Sequence, residues 1–178
     1  MKPLHATILL IGFLFFLGLT SCGTIPKGVS AVEPFDKDKY LGKWYEIARI
    51  DFSFERNLNN TTAEYSIRPD GKIKVVNRGY NTKKEKWEEA VGKARFVGNE
   101  RVGQLQVSFF GPFYAGYNVL AIDENYQYAL VGGDDFKYLW LLSRQKTMPE
   151  AVKNEYVEKA KTLGYHAEDL IWVEHDKQ

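Results

Sequence analysis

The sequence predicts an all-β domain, a sandwich or barrel of eight short strands, followed by a single helix. Three observations carry this. From Lys43 to Arg144, runs that alternate apolar and polar residues recur at short spacing, each bounded by a turn signal. Aromatic residues make up 15% of the chain, with 11 Tyr and 11 Phe, which favours strands and a large apolar interior. After the last run the apolar spacing changes to that of a helix.

The length of 178 residues fits one domain with a leader. Lys+Arg 24 against Asp+Glu 23 leaves no basic excess to attract nucleic acid. Lys2, the apolar run Ile8 to Leu19 and the small residues after it make a secretory signal over residues 1–21, too short for a comfortable membrane span. Leu19-Thr20-Ser21-Cys22 resembles the lipobox of bacterial lipoproteins. The resemblance implies that Cys22 is acylated and becomes the first residue of the mature chain. By resemblance to the lipoprotein sorting rule, Gly23 rather than Asp after that Cys implies the outer membrane, with the domain in the periplasm. No other Cys exists for a disulfide, so the domain is held by its core. Residues 22–34, with Pro26, Gly28 and Ser30, read as the acylated Cys and a flexible tether; about 11 such residues span roughly 18 Å. The domain proper is expected over 35–178.

Asp36 to Tyr40 reads as a short helical turn before Gly42. The first strand then carries Trp44, Glu46 and Ala48 on one face and Tyr45, Ile47 and Arg49 on the other. Thr61 to Arg68 alternates and ends at the tight turn Pro69-Asp70-Gly71. Ile73 to Tyr80, Trp87 to Phe96 and Gln104 to Phe110 follow, the last broken by Gly111-Pro112. Tyr117 to Asp123, Tyr126 to Val131 and Tyr138 to Arg144 complete the eight. Thr147-x-x-Glu150 reads as a capping box. Met148, Val152, Tyr156, Ala160 and Leu163 then form a helical stripe, ended by Gly164, expected to pack outside the sheet against Leu139 and Leu141. Leu170 to Val173 reads as a last short strand.

Gly42, Trp44 and Tyr45, the Asp123-Glu124-Asn125-Tyr126 turn and the Ser143-Arg144 strand end together resemble the lipocalin family. Tyr-Leu-Gly-Lys-Trp-Tyr-Glu-Ile-Ala-Arg and Ser-Phe-Phe-Gly-Pro-Phe-Tyr, with the lipobox, are similar to its bacterial outer-membrane branch. The resemblance spans about Asp36 to Val173. It implies an eight-stranded antiparallel up-and-down β-barrel with one C-terminal helix packed outside, binding a lipid inside.

In such a meander Trp44 begins the first strand and Arg144 ends the eighth, so both fall at one end. Stacked there, and with Gly42 alongside, they are expected to close the barrel. The opposite end carries the loops Asp51–Asn59, Asn81–Glu85, Gly111–Ala115 and Asp134–Lys137. Phe52, Phe54, Phe113 and Tyr114 would rim a mouth there, with Lys83, Lys84 and Lys86 placed for a phosphate head group. Alternation assigns Glu46, Ala48, Tyr65, Ala94, Phe109, Tyr117, Val119 and Trp140 inward as ligand-binding candidates. Small residues such as Ala48 and Ala94 leave volume that the large rings line. Glu46 is the odd one, a buried carboxylate that is costly unless paired: Tyr117 or Asn77 is its expected partner, the alternative being a satisfied place near the closed end.

The expected ligand, by resemblance, is a long-chain fatty acid or a lysophospholipid, handled in envelope maintenance or stress. The alternative is an interaction protein with a filled barrel. Catalysis is not expected: His166 and His175 lie outside the strands, no Cys nucleophile, Gly-x-Ser-x-Gly elbow or phosphate loop is present, and no residue cluster calls for a metal or cofactor. A homodimer is allowed and not required.

Overall fold

The computed structural model describes residues 23–177; the leader, Cys22 and Gln178 lie outside the described residues. A one-turn helix α1 (Lys37–Tyr40) leads into β1 (Gly42–Ile50), β2 (Leu58–Ile67), β3 (Ile73–Asn81), β4 (Lys86–Phe96), β5 (Gln104–Ser108), β6 (Ala115–Ile122), β7 (Tyr128–Gly132) and β8 (Leu139–Ser143). Helix α2 (Glu150–Thr162), a 3₁₀ turn (Ala167–Asp169) and β9 (Leu170–Trp172) follow. Each of the eight strands pairs antiparallel with the next, and β1 pairs with both β2 and β8, so the sheet closes on itself. The expected barrel is therefore formed. β9 is added outside the meander, on the far half of β1 (Ala48↔Trp172).

The turns form where the sequence places them. Asp70 Oδ1 accepts from the Lys72 N–H (3.2 Å) and Gly71 takes φ +76°, which gives the β2–β3 turn its tightness. Asp123 Oδ1 accepts from the N–H groups of Gln127 and Tyr128 (2.6 Å each) and holds the β6–β7 turn.

Alternation along the strands makes two cores. The inner one joins Trp44, Tyr65, Ile73, Val75, Ala94, Leu105, Ala129 and Val131. The outer one joins Ile47, Leu130, Leu139 and Leu141 to Tyr156 and Ala160 of α2. Thirteen residues make a marginal isolated helix, so this burial, at roughly 1.5–3 kcal/mol for a large side chain, is what holds α2 in place. The Tyr156 hydroxyl donates to the Tyr128 carbonyl (3.1 Å) and fixes its register. The capping box does not form. The N-cap is Pro149, without a side-chain bond. Met148 would have to be helical for Thr147 to cap, and a residue before proline is disfavoured from that conformation.

Among the described residues, three register shifts interrupt the alternation: one lies between Asn59 and Thr62 in the β2–β3 pairing, and two bear on the cavity candidates. The β1–β8 register shifts between Glu46 and Ala48, and the β6–β7 register shifts between Val119 and Ala121. Ile47 and Ala48 consequently both face the outer core, and Arg49 turns inward.

Residues 23–35, expected to form a flexible tether up to 34, are laid along the barrel wall. The Val32 N–H donates to the Val119 carbonyl (2.8 Å), the Gly103 N–H to the Val32 carbonyl (2.9 Å) and the Phe35 N–H to the Arg101 carbonyl (2.7 Å). Val29 is buried in the outer core and Phe35 in the inner one. The apolar side chains between the turn residues hold this segment as a strap.

Candidate functional site

The barrel encloses a cavity of about 580 Å³, open at the end opposite Trp44. Its floor is built by the first strand. Gly42 takes φ +93°, and a Cβ there would stand 3.4 Å from Arg144 Nη1. Trp44, fully buried, donates from its indole N–H to the Tyr40 carbonyl (2.9 Å). The Arg144 guanidinium lies over its ring at 3.8 Å. Gly42, Trp44 and Arg144 thus meet at this end of the barrel. Above them the hydroxyls of Tyr40 and Tyr65 each meet that of Tyr117, at 2.6 and 2.7 Å. Burial raises all three phenol pKa values, so these groups stay neutral.

Among the ligand candidates, Tyr65, Tyr117, Phe109, Ala94, Trp140 and Glu46 line the cavity. The apolar wall is completed by Ile73, Val75, Leu105, Val107 and Leu142. Two candidates do not belong to it. Ala48 lies in the outer core under α2, because the β1 bulge reverses the strand after Glu46. Val119 is buried in the inner core, at Gly103 with Val32 and Phe35; Phe35, brought in by the strap, reaches the cavity wall instead.

The polar part of the wall differs from expectation. Glu46 pairs with Arg49, Nη1 to Oε1 at 2.6 Å, not with Tyr117 or Asn77. Arg49, only 1% exposed, also donates to the carbonyls of Glu55 (2.8 Å) and Leu58 (3.1 Å). Glu55 Oε2 accepts from the Trp140 indole N–H (3.1 Å) and stands 3.7 Å from Arg49 Nε. One guanidinium therefore faces the buried carboxylate of Glu46 and the largely covered one of Glu55, with Asp51 at 3.8 Å. Burial, with Glu46 adding repulsion, pushes Glu55 up to about 8; burial also raises Glu46, against the pull of Arg49. Sequence reasoning missed Arg49 and Glu55. In the sequence Ile47-Ala48 is an adjacent apolar pair, which a strand covered on both faces shows as readily as a bulged one, so it does not mark the bulge.

The mouth carries Phe52, Phe54, Phe110, Phe113, Tyr114 and Tyr138. Phe52 packs edge-on against Trp140 (5.6 Å) and Tyr138 (5.3 Å), whereas Phe54, Phe110 and Phe113 are 76%, 70% and 79% exposed. Lys83, Lys84 and Lys86 are not in the cavity wall. Lys84 is paired with Glu88 (2.8 Å), and the β3–β4 hairpin contributes Arg78, Glu88 and Glu89 to the mouth instead. His175 sits outside β1, bonded through Nε2 to the Glu46 carbonyl (2.8 Å) and edge-on to Tyr45.

A profile of the Lipocalin-like domain family matches residues 35–175. The chain is 50% identical over 159 residues to Outer membrane lipoprotein Blc of Citrobacter freundii, covering 89% of this chain and 90% of that protein. It is 48% identical over 160 residues to the protein of the same name from Escherichia coli strain K12, covering 90% of each. Insecticyanin from the tobacco hornworm Manduca sexta superposes with a TM-score of 0.67 at 24% identity, covering 85% of this chain and 86% of that one, a likeness of fold.

Proposed function

The chain belongs to the lipocalin family, and from that membership we propose that it binds a long-chain fatty acid or lysophospholipid inside the barrel, for storage or transport at the bacterial outer membrane. The observation that carries this is the cavity: about 580 Å³, walled by apolar and aromatic side chains and open through an aromatic mouth. Ligand pockets range over about 300–1,000 Å³, and burying an acyl chain contributes about 0.8 kcal/mol per CH₂ before binding costs. The acyl chain occupies the barrel with its tail toward the Tyr40–Tyr117–Tyr65 floor, and the head stays by the mouth. The space also weighs against an interaction protein with a filled barrel.

Cys22 is the proposed site of acylation, holding the domain on the periplasmic side of the outer membrane. Relatives named outer membrane lipoproteins, with about half of their residues identical, support this reading. Envelope maintenance or stress is the role that fits a lipid binder at that place. No catalytic role, cofactor or metal is part of the proposal.

Titration of the domain lacking its first 22 residues with lysophospholipid and fatty acid, followed by Trp fluorescence, tests it. Trp140 in the wall should report saturable binding. Ala94→Trp, which fills the cavity from a position 3% exposed, should abolish it. A folded wild type with no saturable response would sink the proposal and favour the filled-barrel alternative.

A further inference from the structure

The strap fixes where the chain would leave for the membrane. Asn118, fully buried, spends its side-chain N–H groups on the Thr24 carbonyl (2.7 Å) and the Gly133 carbonyl (2.9 Å). Gln104 Nε2 donates to Thr24 Oγ1 (2.8 Å). Gly116 has no room for a Cβ, because the Thr24 carbonyl and Asp134 occupy the space. Gly116 stands at the mouth-side start of β6, and Asp134 lies in the β7–β8 loop at the same end. Thr24 is therefore pinned beside the mouth, and the strap runs from there down to Arg101 at the closed end.

Cys22 is two residues before Thr24, a reach of at most about 7 Å. A free tether of about 11 residues would have let the barrel take any orientation over roughly 18 Å. The pinned one leaves the mouth next to the anchor. At that same end Phe54 and Phe110 approach each other at 6.4 Å across two loops, and with Phe113 they make one exposed aromatic patch. Exposed apolar residues scattered singly need no explanation, but a patch at the point of attachment does.

We propose that the barrel docks mouth-first on the bilayer that holds Cys22, with Phe54, Phe110 and Phe113 in the interfacial layer. The inference rests on the acylation reading given above. Charges beside the patch are of both signs, as in Arg56–Asp51 (3.5 Å) and Lys137–Asp135 (3.6 Å), so docking depends on the aromatic rings rather than on anionic lipid. In this pose a lipid passes between bilayer and cavity without crossing bulk water.

The test uses the full chain, matured and acylated in a bacterial host, checked by mass and reconstituted in vesicles of 3:1 phosphatidylethanolamine and phosphatidylglycerol. The acylated Cys22 has no free thiol, so Phe113→Cys takes a single nitroxide; Val91→Cys, on the side wall at 52% exposure, is the reference. The ratio of oxygen to aqueous nickel-complex accessibility should be several-fold higher at 113 than at 91. It should stay so when phosphatidylglycerol is replaced by phosphatidylcholine. Equal ratios in a protein that sediments with the vesicles overturn the docking while leaving the anchor intact. Spin–spin coupling between labels at 113 that persists without lipid overturns it in favour of two copies meeting mouth to mouth. A chain that carries no acyl group and does not sediment overturns the anchoring reading and the docking with it.

Discussion

Arg144 and Trp44, a hundred residues apart, are stacked at 3.8 Å, and the same guanidinium donates to five backbone carbonyls. Nη2 reaches Lys39, Tyr40 and Leu41, Nη1 reaches Lys43, and Nε reaches Tyr126. These belong to the segment entering β1 and to the β6–β7 turn. One side chain thus ties the end of β8 both to the neighbouring β6–β7 turn and to the segment entering β1, which reaches it when the barrel closes.

Replacing Arg144 should therefore destabilise the fold more than a half-exposed position suggests. Arg144→Ala loses the stacking, worth about 0.5–2 kcal/mol, and leaves the carbonyls to water. A loss of roughly 2–3 kcal/mol is expected in urea unfolding. Arg144→Lys should recover less than half, because a point charge cannot serve a fan of acceptors and stack at once. Full recovery with Lys would show that charge alone matters there.

The cavity's width depends on a missing side chain. A Cβ at Gly92 would stand 2.8 Å from Phe109 Cδ1 and 2.8 Å from the Ser108 carbonyl oxygen. Gly92→Ala must move the ring or the strand, at a cost of about 1–3 kcal/mol. Lipid affinity should fall about tenfold (~1.4 kcal/mol) in the fluorescence titration. Adding Phe109→Ala should restore binding without restoring all the stability. Unchanged affinity in the single variant would remove Gly92 from the account of the cavity.

The closure pair and the strand order were legible in the sequence because they depend on period and on counting. Trp44 opens the first run and Arg144 ends the eighth, and an up-and-down chain must bring them to one end. The cavity wall was legible wherever alternation held, as for Tyr65, Ala94 and Phe109. It failed at the bulges, since an extra residue leaves no mark in composition. One such residue sends Ala48 outward and Arg49 inward. Glu55 was hidden for another reason: it sits in a loop, and its partner Trp140 is 85 positions away. The strap was concealed by its own Pro, Gly and Ser, which make the turns of an ordered segment as readily as they loosen a free one.

The buried carboxylates should make stability fall as pH rises. Glu55 titrates at about 8 when folded, against an ordinary 4.5. Between these values the folded state holds a proton that the unfolded state has released, so stability present near pH 4.5 is lost progressively up to pH 8. Glu46, also raised, acts in the same direction. Unfolding measured from pH 5 to 8 should lose on the order of 2–4 kcal/mol from this group in the wild type. Glu55→Gln should flatten that slope while keeping an acceptor for the Trp140 indole. A slope unchanged in Glu55→Gln would assign the proton elsewhere.

The tyrosine floor should respond according to position in its hydrogen-bond chain. The Tyr117 hydroxyl links those of Tyr40 and Tyr65. Tyr117→Phe strips the partner from two buried hydroxyls, whereas Tyr40→Phe or Tyr65→Phe removes an end and leaves one bond standing. A buried group left unpaired costs about 1–3 kcal/mol, more than the net worth of the bond removed. Tyr117→Phe should therefore destabilise more than either end variant in urea unfolding. Adding Tyr40→Phe and Tyr65→Phe to Tyr117→Phe should recover part of the loss, because no hydroxyl then remains without a partner. Simple additivity of the three substitutions would mean that the hydroxyls act independently.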